Sequence, residues 1–265
     1  MLKKDIINDM YNLSFMDTFH NYPAINSIWR YQHRQRASFI KKQIDKYSSK
    51  SKILLDAGCG KGPYTYLSAN KFGTIYSFDY SKTEVESAKQ NILKNIKHNQ
   101  NIIFKQVNLT HIPLKKEVVD IIILSETLEH IPNYKKALKE IHRVLKRDGI
   151  VIFSMPNALS FYWQYKRLIS NSAIRKIVKK KQLKEKWELS RHWSFPSWKI
   201  NNLVEGGQFK IIEKHGCFIL PFPPQIIAIL IRNFPNLFLI YDKLDRYLSK
   251  RLPFLSAFYL MILKK

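Results

Sequence analysis

The stretch Ile53-Leu54-Leu55-Asp56-Ala57-Gly58-Cys59-Gly60-Lys61-Gly62-Pro63 decides how the rest of the chain is read. A short apolar run ending in an acid has the composition of a buried strand. Three glycines at alternate positions follow, where the backbone must turn sharply and lie close to whatever it faces. Pro63 then stands where a helix can begin without needing an N–H donor. The motif is G-x-G-x-G, which differs from the dinucleotide spacing G-x-G-x-x-G.

Working outward, strand and helix signals alternate. Thr74 to Asp79 reads as strand, Lys82 to Lys97 as helix, Asn101 to Val107 as strand and Val118 to Leu124 as a buried strand. Tyr134 to Leu145 carries Ala137, Leu138, Ile141 and Val144 on one helical side, and Gly149 to Ser154 is again an apolar run. Trp198 to Gly206 reads as helix, Phe209 to Glu213 as strand, and Ala257 to Leu263 as a closing strand. This rhythm predicts an α/β fold: a Rossmann-like, seven-stranded, mostly parallel sheet with helices on both faces and the last strand antiparallel. Residues 1–50 are expected to form an N-terminal helical cap. Residues 51–265 are expected to form the main domain, with insertions at about 158–195 and 218–254.

Asp79 ends the second strand, 17 residues after Gly62. A carboxylate there can accept both hydroxyls of a ribose. With the glycine loop and Asp56 before it, it makes a nucleoside-binding set.

These residues carry a resemblance. With Phe78-Asp79-Tyr80-Ser81, Asn108 to Pro113, Ser125-Glu126-Thr127-Leu128-Glu129-His130-Ile131-Pro132 and Leu145 to Ile150, the block Ile53–Pro156 resembles the class I S-adenosylmethionine-dependent methyltransferases. The branch it looks most like holds the small-molecule and ubiquinone-type O-methyltransferases. The resemblance implies S-adenosyl-L-methionine as cofactor. It implies that Asp56, Gly58, Gly60 and Gly62 hold the methionine end, that Asp79 binds the ribose, and that Tyr80 flanks the adenine. Asn108 and Leu109 fall where the family reads the adenine ring, with the Asn108 amide oxygen accepting from the adenine amine in place of the more usual acid. Ser125 falls where cofactor and substrate meet.

Glu126, Glu129 and His130 stand just beyond the fourth strand. In relatives acting on quinone or catechol hydroxyls a similar arrangement has been linked to a divalent cation. The other readings are His130 as a general base, or a pair that only caps a helix; no metal is assigned. His130, Glu129 and His192 are the expected catalytic residues. His192 opens His192-Trp193-Ser194-Phe195-Pro196, before the next helix.

Composition bounds the partners. The net charge is +25 on 265 residues, and only Cys59 and Cys217 are present, which excludes a disulfide scaffold and fits a reducing, cytoplasmic setting. Met1-Leu2-Lys3-Lys4-Asp5 leads into no apolar signal core, and no run of 18 apolar residues occurs, so neither a signal peptide nor a spanning helix is expected. Residues 161–191 hold ten Lys/Arg and two Glu among aromatic residues. Residues 218–241 hold apolar runs broken by proline, too short to span a bilayer and too apolar for open water. Together they point to an anionic membrane surface as partner, on the inner face of the membrane, with packing of the apolar stretch on its own core or in a dimer as the alternative. Nucleic acid is disfavoured, because neither an Asn/Asp-Pro-Pro-aromatic motif nor a Pro-Cys pair follows the fourth strand. The expected reaction is O-methylation of a small lipophilic or membrane-associated acceptor. A soluble sugar or small-molecule methyltransferase and a non-catalytic binding protein of the same fold are the alternatives.

Overall fold

A computed structural model describes residues 27–96, 101–164, 195–219, 229–230 and 233–265. The chain order is α1 (Ser27–Tyr47), β1 (Ile53–Ala57), α2 (Pro63–Ser68), β2 (Thr74–Asp79), α3 (Lys82–Asn95) and β3 (Ile102–Gln106). Then come β4 (Val119–Ser125), a 3-10 turn (Leu128–His130), α4 (Tyr134–Val144), β5 (Leu145–Pro156), α5 (Ser197–Gly206), β6 (Lys210–Cys217), α6 (Pro235–Arg251) and β7 (Phe258–Lys264).

The seven strands form one sheet in the order β3-β2-β1-β4-β5-β7-β6. The pairs among β1 to β5 are parallel, and β7 runs antiparallel to both β5 and β6. The expected fold class is therefore observed. The central strands are near-continuous apolar runs because both sheet faces are covered. In β4, Ile121 and Ile123 point into one core with Ile40, Ile44 and Tyr64, while Ile122 and Leu124 point into the other with Leu138, Ile141 and Val204. β7 is enclosed on both sides by neighbours, so Phe258 to Leu263 are all buried. β6 lies at the edge, and its exposed positions are Lys210, Ile212 and Lys214; two are lysines, which discourage edge pairing.

Pro235 opens α6 rather than interrupting an apolar run. The inner side of α6 packs Phe238 edge-on and Tyr241 at a tilt against Tyr31 of α1, at ring-centroid distances of 5.4 and 6.0 Å. Asp245, wholly buried, accepts hydrogen bonds from Gln35 Nε2 (3.0 Å) and the Ile219 amide (2.9 Å). Much of the basic, aromatic stretch expected at 158–195, including His192, lies outside the described residues.

Candidate active site at the carboxyl ends of β1, β2 and β4

The strand order reverses between β1 and β4, which opens a crevice at the carboxyl ends of the parallel strands. Asp56, the glycine loop, Asp79, Asn108, Leu109 and Ser125 all belong to that end. Gly58, Gly60 and Gly62 take positive φ angles of 81°, 51° and 85°. At Gly58 a side chain is excluded twice, by conformation and by space. A Cβ would lie 2.3 Å from the Oγ1 and Cγ2 of Thr127, just past β4. At Gly60, by contrast, a Cβ would meet only Glu84 at 3.9 Å, so the loop is open there for a ligand to approach its backbone. The Gly58 and Cys59 amides both donate to the Phe78 carbonyl, at 2.8 and 2.9 Å, and tie the loop to β2.

Asp79 is fixed by the same loop. Its Oδ2 accepts the Gly60 amide and its Oδ1 the Ser81 amide, both at 2.9 Å. Each carboxylate oxygen keeps further acceptor capacity, so a pair of neighbouring hydroxyls can still bind. Tyr80 beside it is 72% exposed. An open loop, an oriented carboxylate and an exposed ring suit a nucleoside.

Two residues are placed differently from the sequence expectation. Asp56 is 1% exposed and turned inward, where Thr65 Oγ1 donates to its Oδ2 at 2.6 Å and also meets Ser77 Oγ at 2.8 Å. Burial pushes the Asp56 carboxyl up to about 7, although Thr65 pulls it back. Asp56 thus sits at the root of the loop. The Asn108 amide oxygen is already committed, accepting the amide (3.0 Å) and the hydroxyl (2.9 Å) of Thr110. A purine amine finds no vacant lone pair on it; what Asn108 offers a ligand is its amide nitrogen. Leu109 is buried, its side chain in the core beside Val107 and Ile112.

Beyond β4 lies a cluster of charged groups. Ser125 Oγ and Ser154 Oγ are 2.8 Å apart, and Ser154 Oγ donates to Glu126 Oε1 at 3.0 Å. Arg36 of α1 reaches in from the other side, with Nη1 3.5 Å from Glu126 Oε2. Arg36 is 5% exposed, and its guanidinium stacks 4.9 Å over the Phe258 ring. Burial works against its charge, but Glu126 holds it. Glu126 has φ +52°, a left-handed conformation that costs energy in a residue other than glycine. Glu129 is 2% exposed, and its Oε2 has no hydrogen-bond partner. Burial raises both carboxyls; Arg36 and Ser154 pull Glu126 back, whereas the charge on Glu126 pushes Glu129 further up. Within the pair, Glu129 is therefore pushed further toward its protonated form than Glu126, whose charge Arg36 favours.

His130 is half-exposed, with Nε2 4.0 Å from Glu129 Oε1. Glu126, Glu129 and His130 are not gathered around one point: among the described residues no group of three or more His, Cys, Asp or Glu is placed to hold a metal ion. Arg36 escaped the sequence reading, although a signal existed. It lies four residues before Ile40 and eight before Ile44, which puts a cation on the core-facing row of its helix.

A family model described as a methyltransferase domain matches residues 48–211, most of the sheet with its crossover helices. The chain belongs to the class I S-adenosylmethionine-dependent methyltransferases. S-adenosylmethionine is the cofactor of this methyltransferase. It is 29% identical over 209 residues to the demethylmenaquinone methyltransferase of Lactococcus lactis, covering 74% of this chain and 81% of that protein. It is 32% identical over 152 residues to an uncharacterized protein of Methanocaldococcus jannaschii, covering 57% of this chain and 61% of the other. The ubiquinone biosynthesis O-methyltransferase of Haemophilus ducreyi matches at 29% identity over 108 residues, covering 40% of this chain and 46% of that one. Among solved structures, the S-adenosylmethionine-dependent methyltransferase of Mesorhizobium loti superposes with a TM-score of 0.55 at 14% identity, covering 87% of this chain and 98% of that one. The [4+2]-cyclase SpnF does so at 0.56 and 16%, covering 87% and 82%. At these identities the likeness shows the fold alone.

Proposed function

We propose that this methyltransferase methylates a hydroxyl oxygen of a small lipophilic acceptor, and that Glu126, held by Arg36, receives the hydroxyl proton. The observation that carries the reading is the buried Arg36–Glu126–Glu129 cluster at the carboxyl end of β4. Relatives whose names specify demethylmenaquinone and ubiquinone biosynthesis support a quinone-like or phenolic acceptor.

Bound S-adenosylmethionine supplies a methyl group activated by its sulfonium. Asp79 would bind the ribose hydroxyls and Tyr80 would cover the adenine. The backbone at Gly58, Gly60 and Gly62 would face the methionine end, with Asp56 supporting that loop from below. Asn108 and the Leu109 backbone would meet the adenine edge, and Ser125 would stand between cofactor and acceptor. Methylation of the acceptor would require its oxygen to give up a proton. Glu126, the member of the pair whose charge Arg36 favours, would accept it. The Arg36 charge favours the acceptor oxyanion as it develops.

The outer side of α6 supports a lipophilic acceptor. Leu237, Ile240, Leu244 and Tyr247 recur at helical spacing and all stand exposed. With the net charge of +25, such a face suits the interface of an anionic membrane at the inner leaflet. Among the described residues no helix is long and apolar enough to cross a membrane. The test is transfer of a labelled methyl group to a panel of hydroxylated quinones and catechols. Methyl ether formation that is lost in Glu126→Gln supports the reading; turnover unaffected by that change rejects it.

A further inference from the structure

A second concave site lies away from the crevice. A cavity of about 310 Å³ opens between α1, the edge strand β6 and α6, and neither Asp79 nor the Glu126–Glu129 pair lines it. Gln43 and Ser249 reach it from opposite helices. Both are buried, at 3% and 2% exposure, yet the Gln43 amide oxygen and the Ser249 hydroxyl have no hydrogen-bond partner. Buried polar atoms left unsatisfied at the wall of a cavity point to a ligand that satisfies them. Lys42 and Lys250, both exposed, stand at the rim, and Arg246 lies in the wall, 2.9 Å from Asp242. Among the described residues, the one acid lining the cavity is Glu213.

We propose that this cavity is a second ligand site, separate from the cofactor crevice, for a phosphate ester that carries a neighbouring hydroxyl. The two lysines supply point charges for the phosphate. An aprotic anion such as sulfate leaves the Gln43 oxygen unanswered, because that oxygen is an acceptor. The ligand must therefore also bring a donor, and a polyol hydroxyl next to the ester does so. Ser249 is free to donate to a ligand oxygen. A bare cation is disfavoured, because basic groups outnumber acids around the cavity. A small soluble phosphate ester and the glycerol phosphate headgroup of an anionic lipid offer the same chemistry.

The probe is sn-glycerol 3-phosphate, followed by calorimetry on the full chain, with sulfate at equal ionic strength as the control. The expected result is saturable binding, at least tenfold weaker for sulfate. Gln43→Leu and the double change Lys42→Glu/Lys250→Glu should each weaken it at least tenfold. Gln43→Leu removes an unpaired polar group and should melt no earlier than the natural protein, so its loss of binding is not loss of fold. Affinity for S-adenosylhomocysteine should stay unchanged in both variants. Vesicles of phosphatidylglycerol separate the two sources. If Lys42→Glu/Lys250→Glu also loses these vesicles and glycerol 3-phosphate competes for them, the site takes the headgroup. If it binds vesicles as before, the site takes the soluble ester. No saturable binding of glycerol 3-phosphate, or binding that survives both variants, overturns the proposal.

Discussion

Arg36 of the first helix and Glu126 at the end of the fourth strand meet 3.5 Å apart, with side chains 6% and 18% exposed. Ninety residues separate them in sequence, and the contact joins the N-terminal helix to the carboxyl end of the sheet. A buried pair of this kind costs little as long as both partners remain, and a great deal when one is removed. Arg36→Met should therefore destabilise the fold by about 3–5 kcal/mol. The double change Arg36→Met/Glu126→Gln should recover a large part of that loss. Urea unfolding of the natural protein, the two single variants and the double variant checks the coupling; additive effects would show that the pair does not interact.

Asp79 anchors the glycine loop through the Gly60 and Ser81 amides, beside the proposed ribose position. Asp79→Ala removes that anchor along with the proposed acceptors for the ribose. A charge-assisted pair of hydrogen bonds contributes roughly 2–3 kcal/mol, so affinity for S-adenosylhomocysteine should fall by about 30- to 150-fold. Calorimetry reads this directly, and an unchanged affinity would remove Asp79 from the ribose site.

Gly58 is held to glycine by two separate constraints, and the two can be separated. Gly58→Ala adds a methyl group 2.3 Å from Thr127 and forces alanine to φ +81°. The left-handed conformation alone costs roughly 1–2 kcal/mol, and the overlap adds a comparable amount. Gly58→Ala/Thr127→Gly should recover the overlap but not the conformational cost. Thermal melts of the single and double variants should show partial rescue.

The fold was legible because its signals are local. The glycine loop after an apolar run, the acid ending β2, and the uninterrupted apolar stretches of β4 and β5 each read within a few residues. The Arg36–Glu126 contact was not, because nothing near Glu126 names a partner in the first helix. The commitment of the Asn108 oxygen to Thr110 was also hidden: an Asx-type turn and a base-reading amide look alike in sequence. Pro235 was misleading for a different reason. Proline breaks a helix from inside yet suits its first turn, and only the fold shows that α6 starts there.

Asp56 makes stability depend on pH in a defined direction. Its folded-state carboxyl titrates at about 7, above the ordinary value of 3.8, so the folded protein retains a proton that the unfolded chain has already lost. The contribution of Asp56 to stability therefore falls as pH rises from about 4 to 7 and levels off above that. Asp56→Asn should gain stability relative to the natural protein across the same window, by a few kcal/mol at most. Paired melts at pH 5 and pH 8 test the sign; a gap that narrows or stays constant would contradict it.

The exposed face of α6 has its own test. Ile240→Glu/Leu244→Glu should leave the melting temperature nearly unchanged, because both side chains already face outward. Sedimentation with anionic vesicles at high salt should drop severalfold, since the apolar contribution is the one salt does not screen. Equal sedimentation of variant and natural protein would assign that face another role.

The central claim is that the Arg36–Glu126–Glu129 cluster serves methyl transfer to oxygen, and the most direct measurement follows the methyl carbon itself. The enzyme, carbon-13 methyl-labelled S-adenosylmethionine and a hydroxylated quinone acceptor are incubated, and the product is read by carbon NMR. The account predicts a methoxy resonance that disappears in Glu126→Gln while S-adenosylhomocysteine still binds. A label on carbon or nitrogen, or a methoxy product formed at full rate by Glu126→Gln, would contradict it.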